Sequence, residues 1–275
     1  MYIYYPGNRF PSLSVTGKFC TLHCKHCSGK YLEHMVPVET PEKLLKFVKD
    51  KEKSINGFLL SGGSMPNGKV PLRRFKDAVR WITENTDLLV NVHTGIIDRE
   101  DINYLEEMNP HHISFDVVGS TETIREVLGL NRTEEDYFYA LEMLDDSSLN
   151  YSPHIIIGLN FGRVEWEYAT VDFIAHLKRF SNLVLIVLIP TKGTPMENVE
   201  IREEEAIDVL RYAAKKINPG KIVLGCMRPR KFVNLEREAV DLNFKGIVIP
   251  SLKTMRYMRG KDIEVRPMET CCVFP

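Results

Sequence analysis

Short apolar runs alternate along the chain with longer stretches in which apolar residues recur every three or four positions. The runs read as strands and the stretches as amphipathic helices. Eight strands are predicted: Ser12 to Thr16, Phe58 to Leu60, Leu88 to His93, Ile113 to Val118, Ile155 to Ile157, Leu183 to Ile189, Ile222 to Leu224 and Ile247 to Ile249. Thr40 reads as an N-cap with Pro41 at the first helical position, ahead of Leu44, Leu45, Phe47 and Val48. The next helix starts near Pro71 and shows Leu72, Phe75, Val79 and Ile82 on one face. Thr133 and Asp136 make a capping-box pattern. Further helices are expected over 164–180 and 201–217, the latter with Ile207, Leu210, Ala214 and Ile217 aligned. Strands this continuously apolar belong to a parallel sheet covered on both faces. Eight strand–helix units in about 240 residues have the size of a TIM-like (β/α)8 barrel. The alternative is an open (β/α)6 partial barrel with the last units folded differently. No linker, low-complexity segment or internal repeat divides the chain, so residues 1–275 read as a single domain. Residues 260–275 lack periodicity and are expected to form an extended tail over the barrel mouth.

Composition narrows the class. The 275 residues include 44% hydrophobic and 27% charged residues, values of a globular chain. With 36 basic and 37 acidic residues and no basic block, nothing points to nucleic acid. The start, Met1-Tyr2-Ile3-Tyr4-Tyr5-Pro6, has no basic region before an apolar run, so no signal or transit peptide is expected. No run reaches 18 apolar residues, so no membrane span is expected. Six cysteines without a secretory signal, three of them in one loop, argue for metal in a reducing cytoplasm rather than disulfides.

The chemistry gathers where strands end, as it does in a barrel. After the first strand come Cys20, Cys24 and Cys27, spaced Cys-x3-Cys-x2-Cys between Gly17 and Gly29. Three thiolates on one loop suit an iron–sulfur cluster, or zinc with His23 or His26 as fourth ligand. After the second strand come Gly62, Gly63 and Ser64, where missing side chains let a ligand approach the backbone. The third and fourth strands deliver Asn91, His93, Thr94 and Asp116, each either a buried polar group bonded to a neighbour or a ligand contact. The fifth ends at Ile157-Gly158 and the sixth at Pro190-Thr191-Lys192-Gly193-Thr194-Pro195. Cys226 ends the seventh strand, and Cys271-Cys272 sit in the tail. Free cysteines are often small buried hydrophobes. A pair so near a terminus is better read as a second iron–sulfur site shared with Cys226, with Arg228 or a tail residue completing it.

The three-cysteine loop resembles the cluster loop of the radical S-adenosylmethionine (SAM) superfamily. Two positions depart from that pattern: His26 stands where Tyr or Phe is usual, and Ser64 where Glu usually follows the glycine pair. Together with Lys192-Gly193-Thr194-Pro195 and the eight-unit pattern, the resemblance is to the biotin-synthase-like branch. Leu60-Ser61-Gly62-Gly63-Ser64, Asn91-Val92-His93-Thr94-Gly95, Gly225-Cys226-Met227-Arg228-Pro229 and the Cys-Cys end look like its archaeal-type members, part of which act as a two-protein lipoyl synthase. The resemblance implies a 4Fe-4S cluster on Cys20, Cys24 and Cys27 and SAM held by the backbone of Gly62, Gly63 and Ser64, with Ile157 and Gly158 against the adenine; Asn91, His93 and Asp116, at consecutive strand ends, are candidate SAM or substrate contacts. It implies one-electron cleavage of SAM, hydrogen abstraction from an unactivated carbon, and sulfur insertion from a second cluster. The implied partners are an electron donor such as ferredoxin or flavodoxin, a lipoyl carrier protein and a second radical SAM protein. A single-cluster radical enzyme, a structural zinc protein and a non-catalytic iron–sulfur protein are the alternatives.

Overall fold

The computed structural model describes residues 1–274; Pro275, the last residue of the predicted tail, lies outside them. The strands are β1 (Tyr2–Tyr4), β2 (Ser12–Ser14), β3 (Val36–Pro37), β4 (Gly57–Ser61), β5 (Leu89–His93), β6 (His112–Asp116), β7 (Tyr151–Ile157), β8 (Leu183–Val187), β9 (Ile222–Leu224), β10 (Gly246–Val248) and β11 (Arg266–Met268). They form one 11-stranded sheet in the order β11-β1-β10-β9-β8-β7-β6-β5-β4-β2-β3, and its ladders are parallel. The strands read from the sequence, β2 and β4 to β10, therefore lie side by side in chain order. The sheet curls into a half-barrel. Among the described residues no ladder joins β3 to β11, so the barrel is open rather than a closed ring.

Helices cover the outer face: α1 (Pro41–Lys51), α2 (Lys76–Asn85), α3 (Arg99–Met108), α4 (Thr121–Thr123) running into a π-turn at Ile124–Leu128, α5 (Glu134–Asp146), α6 (Glu167–Ala175), α7 (Glu203–Lys216), α8 (Val233–Asp241) and α9 (Leu252–Gly260). The expected caps are present. Thr40 Oγ1 accepts from Lys43 N at 3.3 Å, and Thr133 and Asp136 close a capping box. Among the described residues no helix is long and apolar enough to cross a membrane.

Alternation sorts each strand into two faces. Phe58, Leu60, Val90, Val92, Ile113, Phe115, Ile155 and Ile157 pack with the helices in the main core. The opposite face lines the barrel interior, and it is divided. On β5 to β7 it is polar, carrying Asn91, His93, Ser114, Asp116, Ser152 and His154. On β8 to β10 and β1 it is apolar, carrying Val184, Ile186, Val223, Val248 and Tyr4.

The tail takes a path opposite to the expected one. It does not cover the mouth at the carboxyl ends of the strands; it closes the floor at their amino ends. β11 pairs with β1 and directs the tail across the open seam. Glu269 meets Arg9 at 3.6 Å and accepts from Asn56 Nδ2 at 3.0 Å, just before β2 and β4. Asn182 Nδ2, just before β8, donates to Val273 O at 3.2 Å, and Tyr4 Oη donates to Phe274 O at 3.1 Å. The Phe274 ring lies 5.8 Å from the rings of Phe10 and His112. Cys272, Val273 and Phe274 are buried there. The hydrophobic effect accounts for the path, because the floor offers an apolar slot to Val273 and Phe274.

A buried clamp ties the last two units together. Arg228 is almost fully buried and bonds Glu236 through Nε (3.1 Å) and Nη2 (2.6 Å). The same guanidinium donates to Gly225 O (2.6 Å) after β9 and Ile249 O (3.1 Å) after β10. Arg228 is thus committed to Glu236 and two carbonyls, not to a metal site with Cys226 as the sequence suggested.

Candidate active site

The cluster loop is pinned from three sides. Gly63 N donates to Thr16 Oγ1 at 2.7 Å, and Thr21 N donates to Ser64 O at 2.9 Å. Lys25 N donates to Val127 O at 2.8 Å, which docks the loop on the π-turn after α4. Lys30 Nζ donates to Lys192 O at 2.6 Å, and Tyr31 Oη shares a 3.3 Å hydrogen bond with Thr191 Oγ1. The segment after β8 therefore reaches the cluster loop. Gly63 lies directly against that loop: a Cβ there would come within 2.7 Å of both Cα and Cβ of Cys20. Only glycine fits, so the glycine pair and the cysteines form one unit.

Cys24, His26 and Cys27 place their ligand atoms within 4.8 Å of one another. Cys20 is outside that group, although its charge bears on Cys24. A hydrogen bond with Cys27, then burial, raises the Cys24 thiol, which lies 3.7 Å from Leu128 O. The same bond lowers Cys27, and His26 lowers it further. His26 Nδ1 is buried with no hydrogen-bond partner among the described residues. Two sulfurs already gathered, a third on the same loop and an unpartnered ring nitrogen fit a thiolate-bound metal centre.

Across the interior, His93 Nε2 and Asp116 Oδ2 are 3.1 Å apart. Ser61 Oγ, which sequence reasoning passed over, donates to His93 O at 3.2 Å and lies 3.4 Å from Nδ1. His154, also passed over, sets its ring edge-on to His93 at 6.5 Å. Burial alone would raise Asp116, but the charge and hydrogen bond of His93, with His154, bring it to about 2. Burial would lower His93, and Asp116 overrides it, so His93 is raised. Burial lowers His154 to about 4, leaving it neutral.

The sign of the pH dependence follows. Asp116, at about 2 when folded against 3.8 unperturbed, adds stability that is complete above pH 3.8 and is lost as pH falls through about 2. His93, raised above 6.5, adds stability that is complete below pH 6.5 and is lost as pH rises through its folded value. In the metal-free protein, Asp116→Asn should therefore cost stability at pH 6 and clearly less near pH 2. Equal losses at both pH values in urea unfolding would refute the assignment.

The remaining predicted contacts divide. Asn91 is buried, exchanges hydrogen bonds with Ser114 Oγ at 2.9 and 3.1 Å, and donates to Cys271 Sγ at 3.5 Å. It faces the interior but at the level of the tail. Ile157 is a correction: it points into the helix layer, and Ile156 shares the interior face with His154. Gly158, at φ +79°, donates its N–H to buried Glu167 at 2.8 Å. Glu167 holds this turn and was not anticipated.

Cys226, Cys271 and Cys272 face one interior. Burial, then the charge of Cys271, raises Cys226. A hydrogen bond from Cys272, then Val273 N–H and Asn91, lowers Cys271. Cys226 nonetheless keeps an exposed surface. Among the described residues these three sulfurs are not drawn to metal-ligand spacing as Cys24, His26 and Cys27 are.

Comparison with known proteins agrees with this geometry. Residues 14–174 match the pattern of the Radical SAM superfamily. A biotin synthase from Parabacteroides distasonis is 22% identical over 263 residues, 91% of this chain and 79% of that protein. The FeFe-hydrogenase maturase HydG from Carboxydothermus hydrogenoformans superposes with a TM-score of 0.66 at 15% identity, over 99% of this chain and 68% of that one. Methylornithine synthase PylB superposes with a TM-score of 0.60 at 14% identity, over 94% and 84%. The chain spans 56% of the length of a further HydG structure, at a TM-score of 0.63 and 15% identity over 90% of this chain. These likenesses to solved structures establish a shared fold. The matched segment takes in the cysteine loop, the glycine pair and the His93–Asp116 wall, and on that match the chain belongs to the radical SAM superfamily.

Proposed function

We propose that this protein is a sulfur-inserting radical SAM enzyme of the lipoyl-synthase type. Membership of the family implies a 4Fe-4S cluster and SAM, and Cys20, Cys24 and Cys27 would hold the cluster. When bound, that pair supplies one-electron cleavage of a carbon–sulfur bond and hydrogen abstraction from an unactivated carbon. The chain's own groups bind, orient and exclude water. The backbone at Gly62–Ser64 lies against the cysteine loop and can receive the amino-acid end of SAM. The polar wall of His93, Asp116 and His154 suits its sugar hydroxyls and base. Val184 and Val223 are covered by the tail, so the partly buried Ile186 is the part of the apolar wall that suits an aliphatic substrate. The tail seals the floor against water.

The observation that carries the reading is the delivery of Cys271 and Cys272 into the same interior as Cys226. They would hold the second, sulfur-donating iron–sulfur cluster. The substrate would be an octanoyl chain on a lysine of a carrier protein, the reductant a ferredoxin or flavodoxin, and the reaction shared with a second radical SAM protein. The wider spacing of these three sulfurs favours a second reading, a radical SAM enzyme with one cluster and a different carbon substrate.

Anaerobic reconstitution separates the two. Cys24→Ala should lose 5′-deoxyadenosine formation by roughly a hundredfold or more. Cys271→Ala/Cys272→Ala should keep SAM cleavage, lose roughly half the iron and stop making sulfur-containing product. If the double variant keeps wild-type iron, the single-cluster reading holds. Point substitutions are preferable to removing 271–275, because Val273 and Phe274 belong to the floor.

A further inference from the structure

One part of the barrel rim is both apolar and one-signed in charge, and the chemistry above leaves it unused. Tyr5, Ile249 and Leu252 are exposed by 39, 36 and 77%. They are neighbours: Ile249 N donates to Tyr4 O at 2.9 Å, and Tyr5 Oη reaches Met255 Sδ of α9 at 3.9 Å. Ile249 stands at φ +45°, unusual for a β-branched residue. Its carbonyl is gripped by Arg228 and by Arg230 Nη1 at 3.0 Å, which keeps it in that conformation. The fold holds an exposed apolar residue in a strained position beside the mouth.

Cations surround this centre. The segments 226–232 and 249–261 carry basic residues and no acidic one. Arg230, Lys231, Lys253, Arg256 and Arg259 are exposed, and among the described residues none makes an ion pair. Leu252, Arg256 and Arg259 recur at helical spacing on the outward face of α9. An apolar centre with a charged rim is the anatomy of a protein–protein interface. The centre is aliphatic apart from Tyr5, whereas single-stranded nucleic acid is bound on stacking aromatic side chains.

We propose that this rim docks an acidic protein domain that presents the substrate to the mouth on a lysine arm. The inference rests on the reading that the substrate arrives tethered. The rim sits where β9 and β10 end, so a domain bound there can extend an acyl chain into the interior toward the partly buried Ile186. The cations select an acidic partner and speed its encounter, and Leu252 with Ile249 supplies the desolvated contact.

The test measures binding and turnover separately. The probes are a lipoyl carrier domain of net negative charge bearing octanoyl-lysine and a short peptide bearing the same group. The variant is Lys253→Glu/Arg256→Glu, with Leu252→Asp as a second. Both should weaken binding of the carrier at least tenfold, and raised salt should weaken the wild type likewise. With the peptide, 5′-deoxyadenosine formation should match wild type. Carrier binding unchanged in both variants would overturn the docking site. So would variants that lose affinity for phosphatidylglycerol vesicles or RNA while binding the carrier normally. If the wild type binds the carrier in a charge-dependent way yet modifies neither probe, the docking site stands and the sulfur-insertion reading falls.

Discussion

Gly63→Ala should leave a folded barrel that cleaves SAM roughly a hundredfold more slowly or not at all. The added methyl group would meet Cα and Cβ of Cys20 at 2.7 Å and would come still nearer the Phe19 carbonyl. These are backbone atoms or are tied to them, so a rotamer change cannot relieve the contact. The cysteine loop must move, and it cannot move freely. Thr21 is bonded to Ser64, and Lys25 to Val127. Displacing Cys20 relative to Cys24 and Cys27 spoils the geometry three thiolates need around one cluster. Iron content after anaerobic reconstitution and 5′-deoxyadenosine formation should fall together, with the far-ultraviolet dichroism unchanged. Gly260→Ala is the control, since nothing lies within 4 Å of a Cβ there. Wild-type iron and activity in Gly63→Ala would show that the loop is not seated against β4 as described.

Glu236→Ala should cost about 3–5 kcal/mol of stability, the largest loss expected from a single change outside the three-cysteine loop. The substitution strands the Arg228 guanidinium, whose side chain is fully buried. It also removes the acceptor for Ser251 N at 2.8 Å and Thr254 Oγ1 at 2.6 Å. The cause is an uncompensated buried charge, so replacing both partners should recover much of the loss. Arg228→Met/Glu236→Leu is therefore expected to be more stable than Glu236→Ala. Urea unfolding of the metal-free protein measures both. If the double variant is the less stable, the pair stabilises the fold beyond merely satisfying itself.

The eight central strands were legible because β8 to β10 are apolar on both faces and the outward faces of β4 to β7 are apolar throughout, which writes short apolar runs into the sequence. The same apolarity hid which residue faces inward. Ile156 and Ile157 are equally apolar, and a one-residue slip exchanges the faces. His154, with Ser152, was the available signal: polar residues two and four positions before Ile156. β1 and β11 are three residues each, and neither has a period; they are strands because they pair with each other and β1 pairs with β10. α3 went unread although Asp98 and Asp101 cap it, because an Asp–Asp pair is a weaker sequence cue than Ser or Thr followed by Glu. The destination of the tail was beyond local reading. Chain length allows it to reach either end of the barrel, and it is long-range contacts that select the floor, the packing of Phe274 against Phe10 and His112 and the bonds from Asn56, Asn182 and Tyr4.

The position of β1 also has a consequence for how the chain acquires its shape. β4 to β10 can each dock on a neighbour made shortly before, so most of the sheet can grow unit by unit during synthesis. β1 cannot. Its partners are β10 and β11, and the Tyr4–Phe274 hydrogen bond joins residues 270 positions apart. Closing so long a loop is entropically slow, and its gain comes only after nearly everything else has folded. Until then the floor stays open and the cysteines of the tail wait outside. The last event in folding is thus the one that gathers Cys226, Cys271 and Cys272 in a single interior, and a chain stalled just short of it would display a nearly complete barrel that leaks water from below.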